Sequence, residues 1–293
     1  YGTIGPSQEA VDMFFMGNGL AINDPNSGYD ETGFSAVENH CYDPDYKDKK
    51  TDQNISNMYA NREPRFYASV VYQGRSWFKK WMNGNPNYIV DFSAGGGNDL
   101  SNGDNVKTGY MLGKFKNRTV NHASGDTQSW KRVSIIYRLA EFYLFYAEAL
   151  NETDPSNPDI IKYIDMVRER AGIPGYQTMN DNGIKTGIIG NYDKQFDAIQ
   201  HERYVELYCE GQRYFDIRRW MICGDKDRIG CDQTRFYGMN MKGSKDKTPG
   251  EPTSYYTRTK VENRQWTDKL YLYPIHQNVI ELANGRIPQN YGW

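Results

Sequence analysis

The chain has 293 residues, 35 of them basic and 37 acidic, for a formal net charge of -2, with 24 Tyr, 28 Gly and a mean hydropathy of -0.83. That balance excludes the strongly basic footprint of a nucleic-acid binder, and no apolar run is long enough to span a bilayer. The length suits one large domain or two small ones, and abundant Tyr suits contact with sugar rings or peptides, or packing at core margins.

Residues 1–57 read as loop, with one short helix at SQEAVDMFF whose cap is Ser7. RFYASVVYQ, residues 65–73, combines β-branched and aromatic residues and reads as a strand. NYIVDF and YMLGKF are further strand candidates, separated by the glycine-rich SAGGGNDLSNGDN. That run lacks a GK[ST] ending and a strand-to-helix context, so it reads as a loop and not as a phosphate cradle. The pattern changes after Lys131. Ile136, Leu139, Ala140, Tyr143, Ala147 and Leu150 recur at helical spacing and predict an inner face. Asn157 and Pro158 then open a second helix, with Ile161, Ile164, Val167 and Ala171 inward and Gly172 and Pro174 at its end. The two helices form a hairpin of the tetratricopeptide kind, and a single hairpin cannot bury its own face. A third long helix is expected from about Asp193 to Cys209, and another from Gln212 to near Trp220. The tail offers a strand-like KLYLYPI and a short helix, HQNVIELAN, closed by Gly285. No domain boundary stands out.

The segment AIQHERYVELYCEGQRYFDIRRW carries the densest charge. Glu202, Glu206 and Glu210 share one helical face, so they repel unless cations neutralise them. Glycoside hydrolysis needs two carboxylates facing across a cleft. The arginines nearby instead point to a structural ion-pair network of Glu202, Arg203, Glu206, Arg213, Asp216 and Arg218. Glu202 and Glu206 are expected to pair with arginines between Arg213 and Arg219 or with those of VRER. The histidines at 40, 122, 201 and 276 lack metal-ligand spacing. Asp43, Asp45 and Asp48 lie in an acidic loop without an EF-hand pattern. No metal site, cofactor site or catalytic residue is therefore assigned. Cys209 is expected within a helix as a buried thiol. Cys223 and Cys231 flank GDKDRIG and would close a small loop in an oxidising compartment. With Cys41, four cysteines allow three full pairings, all left open.

One loop has binding chemistry. GRSWFKKWMNGNPNY sets Trp77, Phe78, Trp81 and Tyr88 beside Arg75, Lys79, Asn83 and Asn87. Stacking faces next to amides and cations suit a sugar, although large aromatics are as readily buried beneath a loop.

Several segments, in order, resemble the SusD/RagB family: GPSQEAVDMFFMGNGLAIND, NREPRFYASVVYQG, YRLAEFYLFYAEALNE, VRERAGIPGY, ERYVELYCEGQRYFDIRRW and YLYPIHQNVIELANG followed by PQNYGW. Glu63 stands where the family usually has Asp, and Cys209 where Phe is common. The resemblance implies a mainly α SusD-like fold with a tetratricopeptide-like helix pair, long loops and a few short strands. It implies that residues 1–293 are the C-terminal part of a single domain, with 1–130 the loop-rich ligand side and 131–293 helical. The N-terminal half of such a domain carries most repeat helices and an acylated Cys that anchors the protein at the outer-membrane surface. The implied activity is non-catalytic binding of oligosaccharides, or of peptides in some members, for a partner TonB-dependent transporter of the SusC type. A glycan-acting enzyme is the remaining alternative.

Overall fold

The computed structural model describes residues 5–36, 54–75, 89–101, 103, 106–115, 135–225 and 235–293. Among the described residues the chain forms eight α-helices and three two-stranded antiparallel ribbons. Helix α1 (Gln8–Asp12) starts at Ser7, whose hydroxyl accepts from the Ala10 N–H at 3.4 Å. Strand β1 (Phe34–Ala36) pairs with β2 (Asn54–Ser56).

The strand expected over 65–73 is corrected. Pro64 opens helix α2 (Pro64–Ser69), and the chain becomes extended only at β3 (Val70–Val71), which pairs with β4 (Met111–Leu112). Proline at the first helical position has its φ preset and loses no needed N–H, which here outweighs the β propensity of the next residues. Of NYIVDF, the described residues run alongside Gln73–Arg75 without forming a strand. The Gly74 N–H bonds the Val90 carbonyl at 3.0 Å and the Val90 N–H bonds the Arg75 carbonyl at 2.9 Å.

The helical region contains α3 (Leu139–Thr153), α4 (Asp159–Arg170), α5 (Tyr176–Asp181), α6 (Tyr192–Glu206) and α7 (Gln212–Arg219). Helices α3 and α4 form the expected hairpin, and α6 packs across both. Asn157 accepts from the Asp159 N–H at 3.0 Å, so α4 begins where its capping residue predicts. It ends at Gly172, with φ +85, where the Ile173 N–H reaches back to the Arg168 carbonyl at 3.1 Å. Gly211, with φ +89, separates α6 from α7.

Two expectations are corrected here, the first in part. On α3, Ala147 is buried and Ala140, Tyr143 and Leu150 pack against the core as expected, but Glu141, Leu144, Glu148 and Asn151 are buried as well, while Ile136 and Leu139 are 78% and 62% exposed. Apolar side chains ring this helix, Phe142 and Tyr146 included, so periodicity alone could not select a face. The inward polar groups are satisfied instead. Glu148 pairs with Arg219, and Asn151 accepts from Gln195 at 2.7 Å. Cys209, expected mid-helix and buried, lies beyond the end of α6, exposed and with φ +59. Cys223 is buried and its thiol donates to the Ile217 carbonyl at 3.3 Å. Cys41 and Cys231 lie outside the described residues.

In the tail, β5 (Tyr237–Met239) pairs with β6 (Arg258–Lys260). KLYLYPI is not a strand. It forms a 3₁₀ turn, Asp268–Tyr271, and among the described residues no strand pairs with it. Helix α8 (Gln277–Leu282) comes next, capped by His276, with Gly285 at φ +77 beyond its end.

The apolar residues form two cores. One is rich in aromatics and gathers Phe14, Tyr59, Phe66, Tyr72, Phe92, Tyr110 and Tyr255. Its hydroxyls find partners: Tyr59 meets Tyr110 at 3.0 Å, Tyr110 donates to Gln8 at 2.6 Å and Tyr255 donates to the Gly109 carbonyl at 2.7 Å. Much of the tyrosine content is thus core, with rings buried and polar tips bonded. The second core is aliphatic and joins α3, α4 and α6 through Leu144, Ile160, Ile164 and Ile199, each worth about 2 kcal/mol of burial. Helix α6 belongs to both, with Ile199 in one and Val205 in the other.

Candidate functional site

The aromatic loop singled out in the sequence, with Trp77, Phe78, Lys79, Trp81, Asn83, Asn87 and Tyr88, lies outside the described residues. Its root does not. Arg75 is buried, its guanidinium donates to the Val70 carbonyl, and its own carbonyl accepts from Val90. Gln73 holds the returning chain by accepting from the Phe92 N–H at 2.6 Å and donating to Asp91 at 2.8 Å. The segment therefore leaves from and returns to a fixed base.

The charged cluster lies where α6 meets α2. Glu202 is fully buried and bridged by Arg65 at 2.5 Å and Arg168 at 3.3 Å. Glu206 takes Arg65 at 2.9 Å, Arg170 at 2.5 Å and Arg138. Glu210 takes Lys114 at 2.6 Å and Arg138 at 2.7 Å. Glu63 is also fully buried. It accepts from Arg65 at 2.6 Å and from the Phe15 N–H at 2.8 Å. Burial raises its carboxyl. Burial also acts upward on Glu206, but Arg65, Arg138 and Arg170 outweigh it and hold that carboxyl at about 2.

Of the residues grouped by sequence, Arg203 grips Asp216 with two bonds at 3.0 and 2.9 Å and lies 4.2 Å from the Phe145 ring. Arg213 lies over Tyr204 at 4.5 Å, and Arg218 over Tyr214 at 3.5 Å. The VRER arginines do reach Glu202 and Glu206. Arg65, Lys114 and Arg138 were missed, and only their unpaired charge in the sequence could have signalled them.

Sequence reasoning also missed a polar groove beside α6. A cavity of about 730 Å³ is lined by Asn23, Asp24, Asn26, Lys185, Asp197 and His201. A neighbour of about 690 Å³ shares Asn23, Asp197 and His201. Lys185 bonds Asp24 at 2.6 Å across the groove and lowers that carboxyl. The His201 ring stacks on Phe15 at 4.1 Å, and its Nε2–H donates to the Met13 carbonyl at 2.6 Å. Burial holds this imidazole at about 4, so it is neutral near pH 7. The groove offers amides, hydroxyls and paired charges, while its rings Phe15 and Tyr176 are buried and present no stacking face.

Comparison with known proteins gives a consistent result. The model of the SusD family matches residues 1–293. SusD-like protein P2 of Formosa agariphila is 37% identical over 82 residues, covering 28% of this chain and 16% of that protein. A crystal structure of a SusD-like protein from Bacteroides fragilis is 27% identical with a TM-score of 0.70, covering 99% of this chain and 47% of that one. The solved structure of BT4246 is 26% identical with a TM-score of 0.73, covering 99% and 45%. The chain thus spans about half the length of the solved relatives it matches. The helical architecture with few short strands agrees with theirs, and over its whole length the chain belongs to the SusD family.

Proposed function

We propose that this protein captures oligosaccharides without catalysis at the outer-membrane surface, held there by a lipid anchor, and passes them to a TonB-dependent transporter of the SusC type. Membership of the SusD family across the whole chain is the observation that carries this reading. The geometry supports it at the point where an enzyme would be most plausible. Glu202, Glu206 and Glu210 are each bound by cations, so the richest carboxylate cluster acts as a fastener between elements. The capture surface is the loop between Arg75 and Val90, with Trp77 and Trp81 as stacking faces and Lys79, Asn83 and Asn87 as partners for hydroxyls. On either side of these residues the chain is anchored, with Arg75 and Val90 buried and bonded to each other through the backbone.

Calorimetry against a panel of neutral and acidic polysaccharides and of peptides tests this. A glycan should bind, and Trp77→Ala or Trp81→Ala should weaken it about thirtyfold, the effect of losing an anchor worth about 2 kcal/mol. Binding of peptides alone, or glycan hydrolysis by the purified protein, would overturn the reading. Full affinity in both folded Trp variants would move the capture surface elsewhere.

A further inference from the structure

A groove of about 680 Å³ lies between the end of α7 and the C-terminal tail, lined by Arg218, Arg219, Asp268, Lys269, Tyr271 and Tyr291 among others. It shares no lining residue with the polar groove beside α6. Its walls are fixed. The Trp293 indole donates to the Lys269 and Leu272 carbonyls at 2.9 and 3.0 Å, and Asn290 donates to the Tyr273 carbonyl at 2.7 Å. These bonds hold the backbone on either side of Tyr291, whose ring is 84% exposed. A rigidly mounted, solvent-facing phenol ring provides a stacking face at small entropic cost.

The charges separate this groove from the rest of the molecule. Arg219 is neutralised by Glu148 and Asp216. Arg218 and Lys269 are not. Arg218 is stacked 3.5 Å from the Tyr214 ring and 5.6 Å from Trp266, and Lys269 sits 4.4 Å from the Trp293 ring. Among the described residues no carboxylate pairs with either. Asp268 is the one carboxylate among the lining residues.

We infer that this groove is a second binding site, for an acidic oligosaccharide whose carboxylate or sulfate is held by Arg218 and Lys269 while a sugar ring rests on Tyr291. A guanidinium presents a planar fork of donors to either anion. The apolar faces of Tyr271, Tyr291 and Met221 account for the ring, which a free inorganic anion would leave unused. The inference rests on the glycan-binding reading above but uses different residues.

The test is titration calorimetry of the protein with oligogalacturonate, with a sulfated carrageenan oligosaccharide and with neutral maltoheptaose. Binding of either acidic probe should weaken about tenfold in Lys269→Gln and in Tyr291→Ala, the loss expected for one charge-assisted contact or one stacking face. It should also weaken as salt rises. Whichever acidic probe binds identifies carboxylate or sulfate as the anion. Both substitutions lie on the surface, so folding is preserved, whereas Arg218→Lys keeps the charge and tests the fork. Acidic probes that bind equally well to Lys269→Gln and Tyr291→Ala would overturn this inference and leave the capture loop standing. So would binding of maltoheptaose alone. Failure of every glycan to bind would overturn both.

Discussion

Replacing Glu206 by Gln measures how much the charged cluster contributes. The side chain is 2% exposed and touches three guanidinium groups. Holding its carboxyl near 2 instead of the ordinary 4.5 corresponds to about 3 kcal/mol of preference for the ionised form in the folded state. The amide keeps the shape and loses that preference. The partners are not orphaned, because Arg65 retains Glu63 and Glu202, Arg138 retains Glu210, and Arg170 is 60% exposed and returns to water. The cost should therefore stay near 3 kcal/mol and not rise to the larger penalty of a stranded buried charge. For a chain of this length that is a fall of about 5 °C in Tm. The carboxyl's folded value lies below its unfolded one. Its contribution is thus complete above about pH 4.5 and is lost as the pH falls toward 2. Denaturant unfolding of both proteins across that range gives the assay, and the gap should close at the acid end. Glu63, whose carboxyl is raised by burial, acts in the opposite sense but is common to both proteins and cancels. A gap below about 0.5 kcal/mol near neutrality, the scatter of ordinary surface substitutions, would refute the reasoning. A gap that persists unchanged at low pH would do so as well.

Two further outcomes are expected. His201 is neutral and held at about 4, so the folded protein binds fewer protons than the unfolded chain between that value and 6.5. Stability should be complete above pH 6.5 and decline by up to about 3 kcal/mol toward pH 4. His201→Gln, which keeps a donor for the Met13 carbonyl, should flatten that decline, and parallel curves for the two proteins would show that the histidine is not its source. The face of α3 bearing Leu139, Phe142 and Tyr146 is exposed, and solved relatives contain about as much chain again. We expect that face to be covered in the whole domain, so residues 1–293 expressed alone should self-associate or bind a hydrophobic dye. A monodisperse monomer that binds none would contradict this.

What the sequence revealed depended on how local each signal was. Ser7, Asn157, Gly172 and Gly285 act on backbone within a few residues, and each marks a real helix boundary. The strand reading over 65–73 fails for the complementary reason. Its β-branched pair Val70–Val71 does enter a ladder, but Pro64 governs the turn before it. The buried face of α3 was legible only in part: Ala140, Tyr143, Ala147 and Leu150 face the core as their spacing says, but its polar residues are turned inward by partners elsewhere, Arg219 and Gln195. The cations on Glu202 and Glu206 obey the same rule. Arg168 and Arg170 were legible as neighbours in the helical region, whereas Arg65 is 137 positions from Glu202 and no spacing rule connects them. The polar groove beside α6 is assembled from segments as distant as Asp24 and Lys185, so its geometry exists only in three dimensions.

That long-range assembly explains why so many charges are concentrated on α6. Desolvating ions is expensive, and a buried ion pair is often no more stabilising than a well-packed apolar substitute. What distinguishes this cluster is the direction of its bonds. Arg65 belongs to α2 and reaches Glu63, Glu202 and Glu206 at once, which ties α2 to α6 in a single orientation. Helix α2 runs directly into β3, and the buried Arg75 just beyond donates back to Val70 and pairs through its backbone with Val90. A continuous set of short bonds thus runs from the helical frame to the root of the aromatic loop. An apolar contact at the same place would bury as much area but would tolerate sliding, since packing has no preferred bond direction. The charged segment thereby fixes the base on either side of the residues proposed to capture the ligand.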